Sequence, residues 1–130
     1  MKKSEKIKLM AGDFLAGGNS KAEVQFLLDV ACKAWNLALE EDIEPGLKVV
    51  LDGYRLRGAP DGVLPDHLEA SLRDLEVEYR KLIATKKRLF ADDEDIIISS
   101  EIEGDLENFV IRVAFLKPSE VEGAVSSLLD

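Results

Sequence analysis

Two groups of carboxylates are the residues in this chain best placed to do chemistry. Asp92, Asp93, Glu94 and Asp95 stand in a row, and Glu101, Glu103, Asp105 and Glu107 follow at every second position. Clustered carboxylates can hold a divalent cation, assist proton transfer, or dock a basic partner. For the first group a cation is disfavoured, because consecutive residues point in different directions and the alternating ligands and glycine of a calcium loop are absent. Lys86, Lys87 and Arg88 lie just upstream and are expected to balance this group at the end of a helix. The second group has only Arg112 and Lys117 as basic company within its own segment. Glu101, Glu103, Asp105 and Glu107 are therefore the candidate partner-binding residues.

The rest of the reactive inventory is thin. Cys32 is the one cysteine, which excludes an intramolecular disulfide and a multi-cysteine metal site. Its apolar helical surroundings predict a buried, inert thiol. His67 is the only histidine, and no Ser or Cys is positioned with it as a nucleophile, so it reads as a surface residue. The run from Gly12 to Ser20 superficially resembles a phosphate loop, yet Gly18 stands where the lysine belongs. No catalytic residue, cofactor site or metal site is assigned.

Charge is distributed unevenly. Residues 1–90 balance, whereas residues 91–130 hold two basic residues against eleven acidic ones, which is the whole formal net charge of −9. That sum argues against general nucleic-acid binding, which draws on Lys and Arg at phosphates. At 46% hydrophobic and 33% charged the composition is ordinary globular usage, and 130 residues predict a single α+β domain over 1–130. No window supplies the ~20 apolar residues of a membrane span. Lys6, Lys8 and Asp13 break up the stretch after the basic start Met1-Lys2-Lys3, so a signal peptide is not expected and a cytoplasmic setting is.

The elements that must position these residues follow from periodicity. Residues 4–16 predict an amphipathic helix with Ile7, Met10, Ala11 and Phe14 inward. Ser20 and Glu23 make a capping-box pattern at the head of a central helix, about 20–41, apolar around most of its circumference. Only Gln25, Asp29, Lys33, Asn36 and Glu40 form a narrow polar line on it. Pro45 opens a third helix, about 44–57, and Gly58 to Gly62 break the chain. A long helix, about 65–90, carries Leu68, Leu72, Leu75, Tyr79, Leu82, Lys86 and Leu89 at strict four–three spacing. That seam serves either packing inside the chain or a homodimer.

After Asp95 the period changes to two. Strands at about 96–103 and 106–116 form a hairpin around an expected Gly104-Asp105 turn. In that register Ile102 faces Glu107, Ser100 faces Phe109, Ile98 faces Ile111 and Ile96 faces Val113. A short C-terminal helix starts near Ser119. Two open strand edges make the hairpin edge a second candidate for a homodimer or partner contact.

The strings AWNLAL at 34–39 and KKRLFADDEDI at 86–96, followed by a hairpin, resemble a group of small uncharacterised bacterial proteins. The resemblance implies a bacterial cytoplasmic setting and brings no catalytic residue. The function expected is a non-catalytic protein-interaction module with an acidic surface near the C-terminal hairpin, of inhibitor, antitoxin or immunity type. The rival expectation is a carboxylate- or metal-dependent enzyme.

Overall fold

A computed structural model describes residues 1–58 and 66–120, with the backbone alone for residues 66–69. The fold is α+β: four helices followed by an antiparallel hairpin. Its organising element is α2 (Lys21–Leu37). Ser20 Oγ accepts the Glu23 backbone N–H at 3.1 Å, and the Glu23 carboxylate accepts from Asn19 at 2.6 Å, closing the helix start as the sequence predicts. Val24, Leu28, Ala31 and Trp35 are buried on one face, and Val30, Ala34 and Leu37 on another. A helix covered on several sides must touch several neighbours. Accordingly α2 packs on α1 (Lys3–Leu15), α3 (Ile43–Gly58), α4 (Asp66–Leu89) and β1 (Ile96–Asp105).

Packing of α4 explains its seam. Tyr79 and Leu82 are buried and Leu75 is partly so, while Ile83 beside them widens the stripe beyond a two-residue heptad seam. These positions are filled from within the chain. Tyr54 of α3 meets Tyr79 hydroxyl to hydroxyl at 3.1 Å. The seam's polar member, Lys86, is only 2% exposed, whereas Leu89 is left 44% exposed. The side chains of His67 and Leu68, all of the expected Gly58–Gly62 break beyond Gly58, and the part of the expected C-terminal helix beyond Glu120 lie outside the described residues. Pro118–Glu120 make the first helical turn after the hairpin.

The hairpin forms, but in a different register from the expected one. β1 pairs with β2 (Asn108–Leu116) so that Asp105 faces Asn108, and the two-residue turn is Leu106-Glu107 rather than Gly104-Asp105. Ile102 now faces Ile111 instead of Glu107, and Glu101 faces Arg112. Cross-strand pairing explains the preference, since an Ile–Ile pair and a Glu–Arg pair replace an Ile–Glu mismatch. The shift is four residues along β2, an even number, so each side chain keeps its predicted face near the turn. Gly104 keeps a special role at φ +104°, where an added Cβ would lie 2.7 Å from the Asn108 carbonyl oxygen.

A second departure follows from a bulge between Ile97 and Ser99. One extra residue in β1 reverses the alternation beyond it. Ile97 is therefore the buried residue, and Ile98, expected to face Ile111 on the inner side, is 59% exposed.

Candidate functional site

The junction between α4 and β1 gathers charge from three elements. Lys3 of α1 pairs with Asp93 and, at 2.9 Å, with Asp95, while Lys6 pairs with Asp93 at 2.7 Å. Lys86 donates to the Asp93 backbone carbonyl at 2.5 Å. Aromatic faces complete the enclosure: Lys3 and Lys86 lie 5.1 and 4.7 Å from the Trp35 ring centre, and Lys3 also stands 4.9 Å from that of Phe115. The indole N–H of Trp35 donates to the Asp95 carbonyl at 2.8 Å, the acceptor that a buried tryptophan requires.

Electrostatics at the junction follow from this crowding. Burial opposes the Asp93 charge, yet hydrogen bonds from Lys3, Lys6 and the Asp95 amide outweigh it and hold the carboxyl at about 2. Burial pulls the Lys86 ammonium below its ordinary pKa; Asp93 opposes that, and the charges of Lys3 and Lys6 add to it. An open cleft of about 740 Å³ lies over the cluster, between Lys2, Lys117 and residues 92–95. Balance at the junction thus comes chiefly from α1, and not from Lys87 and Arg88 as the sequence suggested. Among the described residues, no group of three or more His, Cys, Asp or Glu side chains is arranged to hold a metal ion.

The adjoining edge of the hairpin is closed by α2. Asn36 Oδ1 accepts the Ile97 N–H at 2.9 Å and its Nδ2 donates to the Ile97 carbonyl at 2.8 Å. Gln25 does the same further along, accepting from Ile102 N–H at 2.9 Å and donating to the Ser100 carbonyl at 3.1 Å. Asp29, between them, accepts from Gln25 at 3.0 Å. Geometry makes this possible. Eleven helical steps from Gln25 to Asn36 cover about 16 Å at 1.5 Å each, and the five strand steps from Ile97 to Ile102 cover about the same at 3.3 Å each. The polar line of the central helix is therefore a template for one strand edge.

The opposite edge has no such template. Gln25 bonds Ile102 and Ser100 because their backbone groups point away from β2. In an antiparallel ladder the residues facing them, Ile111 and Val113, must then point their own N–H and C=O away from β1, and Phe109 opposite Gly104 does likewise. No described residue bonds to these groups.

At the turn end, the predicted residues Glu101, Glu103 and Asp105 share the outer face of β1, and Glu107 occupies the turn itself. Glu103 is paired with Arg112 at 2.7 Å. Among the described residues Asp105 and Glu107 have no cationic partner, and Glu101 shares Arg112, directly across the ladder, with Glu103, to which the guanidinium is bonded. Val110, 59% exposed, stands beside them on β2.

Other reactive groups are held inert. Burial chiefly pushes the Cys32 thiol up to about 11, the nearby Asp29 charge adding to it and a Ser100 hydrogen bond opposing it. Burial and the Tyr54 hydroxyl raise the Tyr79 phenol well above its ordinary value. Glu44 and Arg80 form a surface pair between α3 and α4 at 2.7 and 3.0 Å. No helix among the described residues is long and apolar enough to cross a membrane. No family model, curated protein or solved structure matches the chain.

Proposed function

We propose that this chain is a non-catalytic protein-interaction module that meets a basic protein partner with the turn end of its C-terminal hairpin. The observation carrying this reading is the contrast in charge balance. Asp93 and Asp95 at the junction are paired with lysines, whereas among the described residues Asp105 and Glu107 meet no cation, and Arg112, which faces Glu101, is drawn to Glu103, all beside exposed Val110. Unbalanced charge on a fixed element raises the encounter rate with an oppositely charged partner and repels like-charged ones. An inhibitor of a basic enzyme, such as an antitoxin or an immunity protein of a bacterial cytoplasm, is the concrete form of this reading.

The test is capture from a bacterial lysate by the intact chain at about 50 mM and about 500 mM salt, alongside a Glu101→Gln/Glu103→Gln variant. A partner retained at low salt, and lost both at high salt and with the variant, supports the proposal. Capture indifferent to salt and to the variant contradicts it.

A further inference from the structure

We propose that the β2 edge receives an extended segment of the partner as a third strand, with the segment's basic residues lying at the turn end. This rests on the interaction reading above and specifies how the contact is made.

Backbone geometry is the first support. β1 is closed along its outer side by Gln25 and Asn36, while the N–H and C=O groups of Phe109, Ile111 and Val113 on the other side are bonded by no described residue. Such a row pairs readily with any extended chain. Proteins ordinarily blunt an exposed edge with proline, a bulge, short length or inward charge. β2 uses none of these: it runs nine residues, has no proline, and the hairpin's bulge lies in β1. Its one charged residue, Arg112, is engaged by Glu103 on the outer face.

Charge selects the occupant. A second copy of this chain would bring another segment holding two basic and eleven acidic residues against the first. Within a screening length of about 8 Å that juxtaposition is repulsive. A strand with basic side chains at the turn end, near Asp105 and Glu107, and small or apolar ones beside Val110 and Ala114 fits this edge, where Arg112 is already held by Glu103.

Three eight-residue probes test this on the full chain: alternating lysine and valine, the same peptide with every backbone N–H methylated, and alternating glutamate and valine. Amide hydrogen exchange is followed by NMR. The lysine–valine peptide is expected to slow exchange at Phe109, Ile111 and Val113 about tenfold or more, and the other two probes are not. Glu101→Gln/Asp105→Asn should weaken that protection severalfold. If the lysine–valine peptide shifts the amides of residues 101–107 but leaves the three edge amides unprotected, strand addition is wrong while the acidic-surface reading stands. If the glutamate peptide protects the edge equally well, the acidic-surface reading fails together with the basic occupant. No response to any probe overturns the proposal. So does slow exchange at the three amides in the free, dilute chain: dependence on concentration identifies a second copy as the occupant, and independence identifies the chain itself.

Discussion

The two ends of one hairpin treat the same chemistry in opposite ways. At the junction, Asp93 and Asp95 are enclosed by Lys3, Lys6, Lys86 and the Trp35 face, and the neighbouring backbone is bonded by Asn36. At the turn, among the described residues, Asp105 and Glu107 stand without a counter-charge while Glu103 takes Arg112, and the adjacent strand's outward backbone groups find no partner. The first arrangement uses up its polar groups inside the fold. The second leaves them for something else. Acidic composition alone cannot separate the two; what separates them is whether another element of the chain reaches them.

The contrast has consequences for stability, largest at the junction. Asp93→Asn leaves three ammonium groups around a neutral amide, and breaking a buried pair in this way costs about 3–5 kcal/mol. Urea denaturation at neutral pH should register that loss; a change under about 1 kcal/mol would mean the cluster is not structural.

Asn36→Leu comes next. It orphans the N–H and C=O of Ile97, at about 1–3 kcal/mol for a buried group left unsatisfied. Gln25→Leu should behave likewise at Ile102 and Ser100. Unfolding curves indistinguishable from wild type for both variants would show that α2 does not hold the edge.

Acid provides a third probe. The Asp93 carboxyl lies at about 2 against an ordinary 3.8, so its contribution is present above that ordinary value and is lost as pH falls through about 2. The difference corresponds to about 2 kcal/mol. Denaturation at pH 5 and near pH 2 should show this loss in the wild type and a correspondingly smaller one in Asp93→Asn. An equal acid sensitivity in both would assign it to other groups.

The smallest stability effect is expected at the turn. Glu101→Gln and Glu103→Gln should each stay within about 0.5 kcal/mol of wild type, because exposed carboxylates add little to folding. A larger loss would make the turn a structural element like the junction.

These contrasts also mark what could be read from residue order. Helical periodicity located α1 to α4 because each buries a stripe, and the period-two run from Ile96 located the hairpin. Residue order misplaces the turn because Gly104-Asp105 is a strong local pattern, while the register follows the Ile102–Ile111 and Glu101–Arg112 pairs across the ladder. The bulge at Ile98 left no mark in composition, since Ile96, Ile97 and Ile98 are identical in type and only the contact of Ile97 with Asn36 tells them apart.

Lys3 and Lys6 do not announce themselves as partners of Asp93, because they lie 90 and 87 positions away along the chain. Gln25 and Asn36 were legible to a degree. They stand on a narrow polar line on an otherwise apolar helix, a pattern that needs polar neighbours for buried amides. Lys86 is the reverse case: in the sequence it interrupts an apolar seam, yet it is buried because the Asp93 carbonyl and Trp35 receive its ammonium.

Amide hydrogen exchange of the free chain, recorded at two concentrations, tests the difference between the two edges most directly. Ile97 and Ile102 should exchange slowly, held by Asn36 and Gln25, while Phe109, Ile111 and Val113 exchange fast at both concentrations. Equal protection on both edges would contradict an open β2 and, with it, the place assigned to the partner.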